Sequence, residues 1–413
     1  MGKKINAVDL FAGAGGLSEG FLKNGFNVVA SIENDTDACN TLRTRHAYWQ
    51  LKNKGQYSTY LDYLKKEMPI NELHSYLAYD PVIHIEVSDK TINKVAEEIK
   101  KRMKSSGVGK IDLFIGGPPC QTFSVASRKR RREDIANDPR TMLYTHYAEL
   151  LKRFKPSMFV FENVTGILSA GVSGSGIFDR VREAFLEAGY MTDYRILNAR
   201  DFGVLQNRKR VVVMGWGRKS HLEYPEFSRN YSGHTVGEAF FDLPEINAGE
   251  SVDWGGYRSK PADYISKSGI RASNFNILTQ HIARPVNPID SEIYSIAVKM
   301  WKNEEKKLKY SELPERLATH RNRNTFSDRF RVVADNLPYS HTIVSHISKD
   351  GHYYIHPDEK QNRSISVREA ARLQSFPDDY YFEGSRTRAF MQIGNAVPPL
   401  MAGRIAEGIR GVL

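Results

Sequence analysis

The chain has 413 residues, with 59 Lys and Arg against 48 Asp and Glu and a formal net charge of +11 at pH 7. That surplus favours a polyanionic partner through counterion release, and the length suffices for a large buried core and about two domains. Its 2 cysteines exclude a disulfide framework and a cysteine-rich zinc site, no metal site is expected, and the lack of apolar runs of transmembrane length predicts no membrane partner, although ribosomal and membrane-surface proteins share the basic surplus.

The first predicted strand closes on Val8, Leu10 and Phe11 and passes into DLFAGAGG at 9–16, where small residues permit a tight turn into a helix. MGKKINAVDLF runs straight into that strand, leaving no room for a signal peptide and predicting a cytoplasmic protein. In an open parallel sheet, ligands gather beyond the carboxyl ends of the strands, so this turn is a candidate cofactor cradle. A dinucleotide fingerprint needs a third glycine where Ser18 stands, so Gly13 and Gly15 by themselves also fit a plain strand-to-helix turn. A second strand of Phe26, Val28, Val29 and Ile32 ends at Glu33, about 20 residues beyond the first glycine, where an acid can accept hydrogen bonds from ribose hydroxyls. The plain alternative has Glu33 and Asp35 starting and capping the following helix.

Between residues 48 and 110 lies a longer insertion than such a fold needs, with tyrosines at 57, 60, 63, 76 and 79 and a lysine-rich helical segment from Asp89 to Lys104. The tyrosines are expected to pack, with DNA contact as the second reading. Ile111, Leu113, Phe114 and Ile115 then form a strand that ends in GGPPCQ at 116–121. A lone cysteine is commonly a buried, inert thiol. At Cys120, however, two prolines restrict the preceding backbone and Gln121, Thr122 and Ser124 surround the sulfur with polar groups. The basic run Arg128, Lys129, Arg130, Arg131 and Arg132, folded nearby, favours the thiolate that attacks in covalent catalysis. Cys39 reads as ordinary packing.

Met158, Phe159, Val160 and Phe161 lead into ENV at 162–164, and QNRKR at 206–210 leads into Val211, Val212 and Val213. Alternating strands and helices from 1 to about 217 predict an α/β fold, a mostly parallel sheet with helices on both faces. From 218 to 362 the alternation fades, leaving Gly255 and Gly256, HIARP at 281–285, and a basic cluster of Arg316, His320, Arg321, Arg323, Arg329 and Arg331. RSISVREAARLQSFP at 363–377 has the apolar spacing of an amphipathic helix, with Ser366 and Glu369 fitting a capping box. QIGNAVPP at 392–399 precedes a closing helix from about Pro399 to Arg410.

Taken in order, these strings resemble those of the bacterial, single-chain DNA (cytosine-5)-methyltransferase family from residue 5 to about 410. The resemblance implies an S-adenosylmethionine-dependent, Rossmann-like methyltransferase fold plus a smaller irregular target-recognition domain. Its parts would be a catalytic and cofactor domain at 1–217, the recognition domain at 218–362, and a return to the catalytic domain at 363–413, made of a helix that braces the recognition domain rather than doing chemistry and of the C-terminal helix. S-adenosylmethionine would lie against Phe11, Ala12, Gly13, Gly15, Gly16, Leu17, Glu33, Asn34, Pro118, Asn395 and Val397. Glu86, in IHIEVSD at 83–89, would hold the adenine amino group, although the family more often has aspartate there.

The chemistry implied is addition of Cys120 to carbon 6 of cytosine, which makes carbon 5 nucleophilic enough to accept a methyl group. Glu162 would act as general acid toward ring nitrogen 3, with Asn163 shaping the pocket. Arg210, with Arg208 beside it, would hold the base carbonyl by a charge-assisted hydrogen bond, surface pairing with acids being the alternative. Stacking blocks this attack inside a duplex, so the target nucleotide must flip out. Residues 121–141 would close over it, with Gln121, Ser124, Arg128, Lys129, Arg130 and Arg131 on the DNA, where a solvated charge run is the alternative. Arg321 and Arg323, beside Asn322 and Asn324, would read base edges. The expected partner is double-stranded DNA, met by a monomer, with a restriction endonuclease acting separately. Three rival functions are a tRNA methyltransferase sharing these motifs, a non-catalytic DNA-binding relative, which would lack Cys120 or Glu162, and a nicotinamide oxidoreductase, which leaves PPCQ and ENV unexplained.

Overall fold

The computed structural model describes residues 4–119, 142–172, 175–231, 233–319 and 327–413. Its main sheet contains β1 (Asn6–Leu10), β2 (Asn27–Glu33), β3 (Val82–His84), β4 (Leu113–Gly116), β5 (Met158–Val164), β6 (Tyr190–Asn198) and β7 (Lys209–Gly217). The strand order is β3-β2-β1-β4-β5-β7-β6. The first five run parallel, and β7 and β6 complete the sheet antiparallel. The chain order reverses between β1 and β4, which opens a crevice beyond their carboxyl ends.

Parallel strands buried on both faces need apolar residues at nearly every position, and β1, β2 and β4 have them. On one face Val8, Leu10, Phe114, Phe159 and Phe161 pack beneath α5 (Ile92–Ser105), α6 (Leu143–Phe154) and α7 (Ile177–Glu187). On the other, Ala7, Leu113, Ile115 and Val160 meet Phe21 of α1 (Gly16–Lys23) and Met401, Ile405 and Ile409 of α11 (Pro399–Val412). The last helix of the chain thus covers the first strand. Close approach of α11 to α1 requires Gly20, where an added Cβ would lie 2.4 Å from the Gly403 nitrogen.

The insertion forms the end of α2 (Thr36–Asn53), then α3 (Tyr57–Leu64) and α4 (Ile70–Ser75). Tyr60 and Tyr63 are buried with Tyr48 and Leu73 against Phe275, so these tyrosines pack, while Tyr76 is exposed. Residues 218–362 contain little regular structure beyond α8 (Pro288–Glu304), which Asn287 caps at the Asp290 amide. The capping box at α9 (Val367–Leu373) forms as expected, Ser366 accepting from the Glu369 amide. An amphipathic helix was expected there, yet every residue of α9 is buried. Its charged side chains meet partners instead of water: Arg372 pairs with Asp242 and Asp378, and Glu369 with Arg363. α10 (Arg386–Asn395) then leads into α11.

Candidate active site

A cavity of about 570 Å³ opens where β1, β2, β4 and β5 end, a size within the usual range for small-molecule sites. Its near wall is the loop after β1. Phe11 (φ 59°), Gly13 (φ 54°) and Gly15 (φ 78°) are all left-handed there, a conformation costing a non-glycine residue such as Phe11 roughly 1–2 kcal/mol. Hydrogen bonds sustain it: the Ala12 amide to the Ile32 carbonyl at 3.0 Å, Gly15 to Ala12 at 2.9 Å, and Gly13 to Glu33 Oε2 at 2.8 Å. A Cβ on Gly13 would meet nothing within 4 Å, so the backbone there is open to a ligand. Gly16 is needed for a different reason, because its Cβ would lie 2.3 Å from the Val397 carbonyl.

Of the residues expected to meet the cofactor, Phe11, Ala12, Gly13, Gly16, Leu17, Glu33, Asn34, Glu86, Pro118, Asn395 and Val397 line the cavity. Gly15 does not. It faces the protein interior, where a Cβ would come within 2.8 Å of Leu42 Cδ2 and 3.0 Å of the Tyr380 hydroxyl. Glu33 is also more committed than its position in sequence suggests. Besides Gly13, its Oε1 accepts from the Asn34 and Asp35 amides at 2.8 and 2.9 Å. A carboxylate offers about four acceptor positions, so one remains for a hydroxyl. The helix-capping alternative belongs to Asp35, whose side chain accepts from the Ala38 amide at 3.0 Å.

Several lining residues escaped the sequence reading. Asp9 is buried beneath the loop and accepts from the Ser18 hydroxyl at 2.5 Å. Burial pushes its carboxyl up to about 7, the Ser18 bond opposes that, and Glu33 adds to it. An acid inside an otherwise apolar strand was the available signal. Arg388, Met391 and Gln392 also line the cavity. With Asn395 they fall on one helical face at three- and four-residue spacing, so the pattern was present one and two turns before Asn395.

At the far end stand Gly117, Pro118, Pro119, Glu162 and Arg210. Glu162 on β5 and Arg210 on antiparallel β7 are diagonal neighbours in register, since Val164 pairs with Arg210 and Glu162 with Val212. Their side chains meet, Arg210 Nε to Glu162 Oε1 at 2.8 Å, with only 11% and 13% exposure. Gly117 makes room for this pair, because a Cβ there would be 2.6 Å from Glu162 Oε2. Buried Asn163 donates to the Pro118 carbonyl at 3.4 Å, tying β5 to the turn after β4. Cys120 follows Pro119 in the sequence, but it lies outside the described residues, as do Gln121, Ser124, Arg128, Lys129, Arg130, Arg131, Arg321 and Arg323.

Arg208 departs from expectation. It does not line the cavity and is 1% exposed. Its guanidinium donates to the carbonyls of Ile343 at 2.6 Å, Gly394 at 3.1 Å and Ala396 at 2.9 Å. It sits in the turn before β7, where strand alternation does not set direction, and its bonds to the three carbonyls hold it inward. Arg208 therefore joins the QNRKR turn to residues 343 and 394–396, and leaves Arg210 as the arginine of the pocket.

A mostly parallel sheet, reversing beside its first strand and closed by an antiparallel pair, with helices on both faces, is the α/β methyltransferase fold. The model of the C-5 cytosine-specific DNA methylase family matches residues 5–63 and 83–411. The chain belongs to that family, whose activity is methyl transfer to carbon 5 of cytosine in DNA. It is 38% identical over 443 aligned positions to the type II methyltransferase M.Bpa9945I of Bacillus paralicheniformis, covering 98% of each chain. It is 31% identical to the type II methyltransferase M.DdeI of Desulfomicrobium norvegicum, covering 98% of this chain and 88% of that one. Among solved structures, a prophage-encoded E. coli protein described as a DNA modification methyltransferase shares the fold at a TM-score of 0.66 and 24% identity, over 99% of both chains. No helix among the described residues is long and apolar enough to cross a membrane.

Proposed function

We propose that this protein transfers a methyl group from S-adenosylmethionine to carbon 5 of a flipped-out cytosine in duplex DNA, with Cys120 as covalent nucleophile. The observation that carries this reading is one cavity with two chemically different ends, the Gly13–Glu33 cradle and the Glu162–Arg210 pair, joined by Pro118 and Pro119. Bound there, S-adenosylmethionine supplies the methyl group in electrophilic form. Phe11, Gly13, Asn34, Glu86 and the free acceptor position of Glu33 would hold its nucleoside half, and Pro118, Asn395 and Val397 the remainder.

The chain's own groups act on the base. Cys120 adds to carbon 6, and electron density moves toward ring nitrogen 3, where Glu162 holds the neutralising proton. Arg210, anchored by Glu162, holds the base carbonyl. After transfer, loss of the carbon 5 proton and expulsion of Cys120 restore the aromatic ring. Both arginines of the QNRKR string thus have a role: Arg210 on the base and Arg208 in the framework.

Residues 1–217 and 363–413 form the catalytic part and 218–362 the target-recognition part, in which Arg321 and Arg323 read base edges. The 121–141 segment, with Gln121, Ser124, Arg128, Lys129, Arg130 and Arg131, closes on the DNA backbone. Because two of the relatives are type II methyltransferases, a separately acting restriction endonuclease is the fitting companion, and a cytoplasmic monomer suffices for one flipped base. Incubation with labelled S-adenosylmethionine tests the reading. Label entering duplex DNA at cytosine supports it, and label entering tRNA with none in DNA contradicts it.

A further inference from the structure

The cofactor loop is held from its front by Glu33, and it is also held from behind by a residue far along the chain. Tyr380 lies just after α9 and is fully buried, its ring 4.8 Å from Phe376 and 5.2 Å from Phe382 between centroids. Its hydroxyl donates to the carbonyl of Ala14, the residue between left-handed Gly13 and Gly15. The Ala14–Gly15 peptide is thereby fixed at both ends, since the Gly15 amide donates to the Ala12 carbonyl at 2.9 Å.

A second layer backs this contact. The Arg45 guanidinium lies 4.7 Å from the centroid of the Tyr380 ring. It pairs with Asp379 at 2.9 Å and with Glu19, in the first turn of α1, at 2.6 Å. Trp49 also donates to Glu19, at 2.9 Å, and the Glu19 amide donates to the Gly15 carbonyl at 2.8 Å. Residues 379–380 therefore grip both the loop and the helix that follows it, on the side away from the cavity.

We infer that Tyr380 is a positioning residue for cofactor binding: its hydroxyl, on the Ala14 carbonyl, keeps the loop in the left-handed form that exposes the Gly13 backbone to the ligand. The inference rests on the cavity receiving S-adenosylmethionine. Removing the hydroxyl leaves a buried carbonyl unsatisfied and frees the peptide to rotate, so ordering of the loop is deferred to the binding step and weakens it. Phenylalanine keeps the ring packing.

The test is Tyr380→Phe, with S-adenosylhomocysteine affinity measured by calorimetry, duplex DNA affinity measured without cofactor, and thermal unfolding. The control is Tyr354→Phe, another buried tyrosine, whose hydroxyl bonds Thr342 and Val344 instead. Expected for Tyr380→Phe are an S-adenosylhomocysteine Kd raised about 5- to 30-fold and a matching rise in KM for S-adenosylmethionine. At saturating cofactor kcat should stay within about two-fold of wild type, DNA affinity should hold, and the control should bind S-adenosylhomocysteine normally. Unchanged cofactor affinity in Tyr380→Phe overturns the inference, as does a joint loss of cofactor and DNA affinity with a lowered unfolding temperature. If the wild type itself binds no S-adenosylhomocysteine, the cofactor reading falls first and the inference with it.

Discussion

The sheet and the region around α9 differ in how much charge their interiors hold. Around β1, β4 and β5 the interior is apolar on both faces, with Phe114, Phe159 and Val160 wholly buried. Where residues 218–362 meet α9, an apolar cluster that includes Val236, Ile265, Ile343 and Leu373 encloses buried charge: Arg372 bridges Asp242 at 2.5 Å and Asp378 at 2.6 Å, Arg271 reaches Asp242 at 2.5 Å, and Arg363 holds Glu369 at 2.7 Å. Arg45, Arg208 and Arg368 are buried as well. In a chain of net charge +11, such arginines look like DNA contacts but serve the framework. Positive charge in sequence therefore marks the DNA surface only after these buried members are set aside.

The comparison is sharpest where a charge network is broken. Arg372→Met leaves Asp242 and Asp378 buried with too few partners and should cost roughly 3–5 kcal/mol, seen as a lower urea midpoint. A midpoint within error of wild type would show that the network contributes nothing. Arg210 and Arg208, two residues apart, should behave oppositely. Arg210→Ala should lower kcat by about 10²- to 10³-fold, as loss of a preorganised donor does, with stability changed little. Arg208→Ala should lower stability by about 1–3 kcal/mol through its orphaned carbonyls, with cofactor-saturated kcat falling less than for Arg210→Ala. Equal kinetic losses in the two variants would return Arg208 to the active site.

Acid should weaken the fold through buried histidines on both sides of this comparison, since burial also holds His46 on α2 down to about 4. Burial holds His281 and His341 down to about 4, and His356 to about 3. His356 lies 3.5 Å from Glu369, but Arg363 already occupies that carboxylate and burial keeps the imidazole neutral. An unfolded histidine titrates near ~6.5, so between that pH and the folded values the unfolded chain binds more protons. Their contribution is complete above about pH 6.5 and is lost as pH falls toward 4. Asp9, in the sheet, has the opposite sign. Its folded value of about 7 exceeds the ordinary aspartate value of 3.8, so stability falls as pH rises between them. Denaturant midpoints should show Asp9→Asn gaining more over wild type at pH 8 than at pH 5. A pH-independent gain would remove Asp9 from that account.

The same contrast explains what the sequence disclosed. β1, β2, β4, β5 and β7 were legible because apolar runs stop at glycine, proline or acid, and the cradle and Glu162 follow from where those runs end. α9 was misread as amphipathic because Arg368, Glu369 and Arg372 resemble a solvent face until Asp242 and Asp378, distant in sequence, are brought to them. Gly15 and Arg208 were placed at the ligand because sequence shows adjacency and not direction: both turn into the protein, toward Tyr380 and toward the carbonyls of residues 343, 394 and 396.

The central claim is that the cavity serves a nucleophile at Cys120. It is tested most directly by duplex DNA carrying 5-fluorocytosine at the target, incubated with enzyme and S-adenosylmethionine and analysed by mass spectrometry of the digested protein. Fluorine cannot leave carbon 5 as a proton does, so a stable enzyme–DNA adduct should form at Cys120 and be absent from Cys120→Ser, which should still bind DNA but not turn over. Methylation at the wild-type rate by Cys120→Ser, or an adduct mapped to Cys39, would contradict the account.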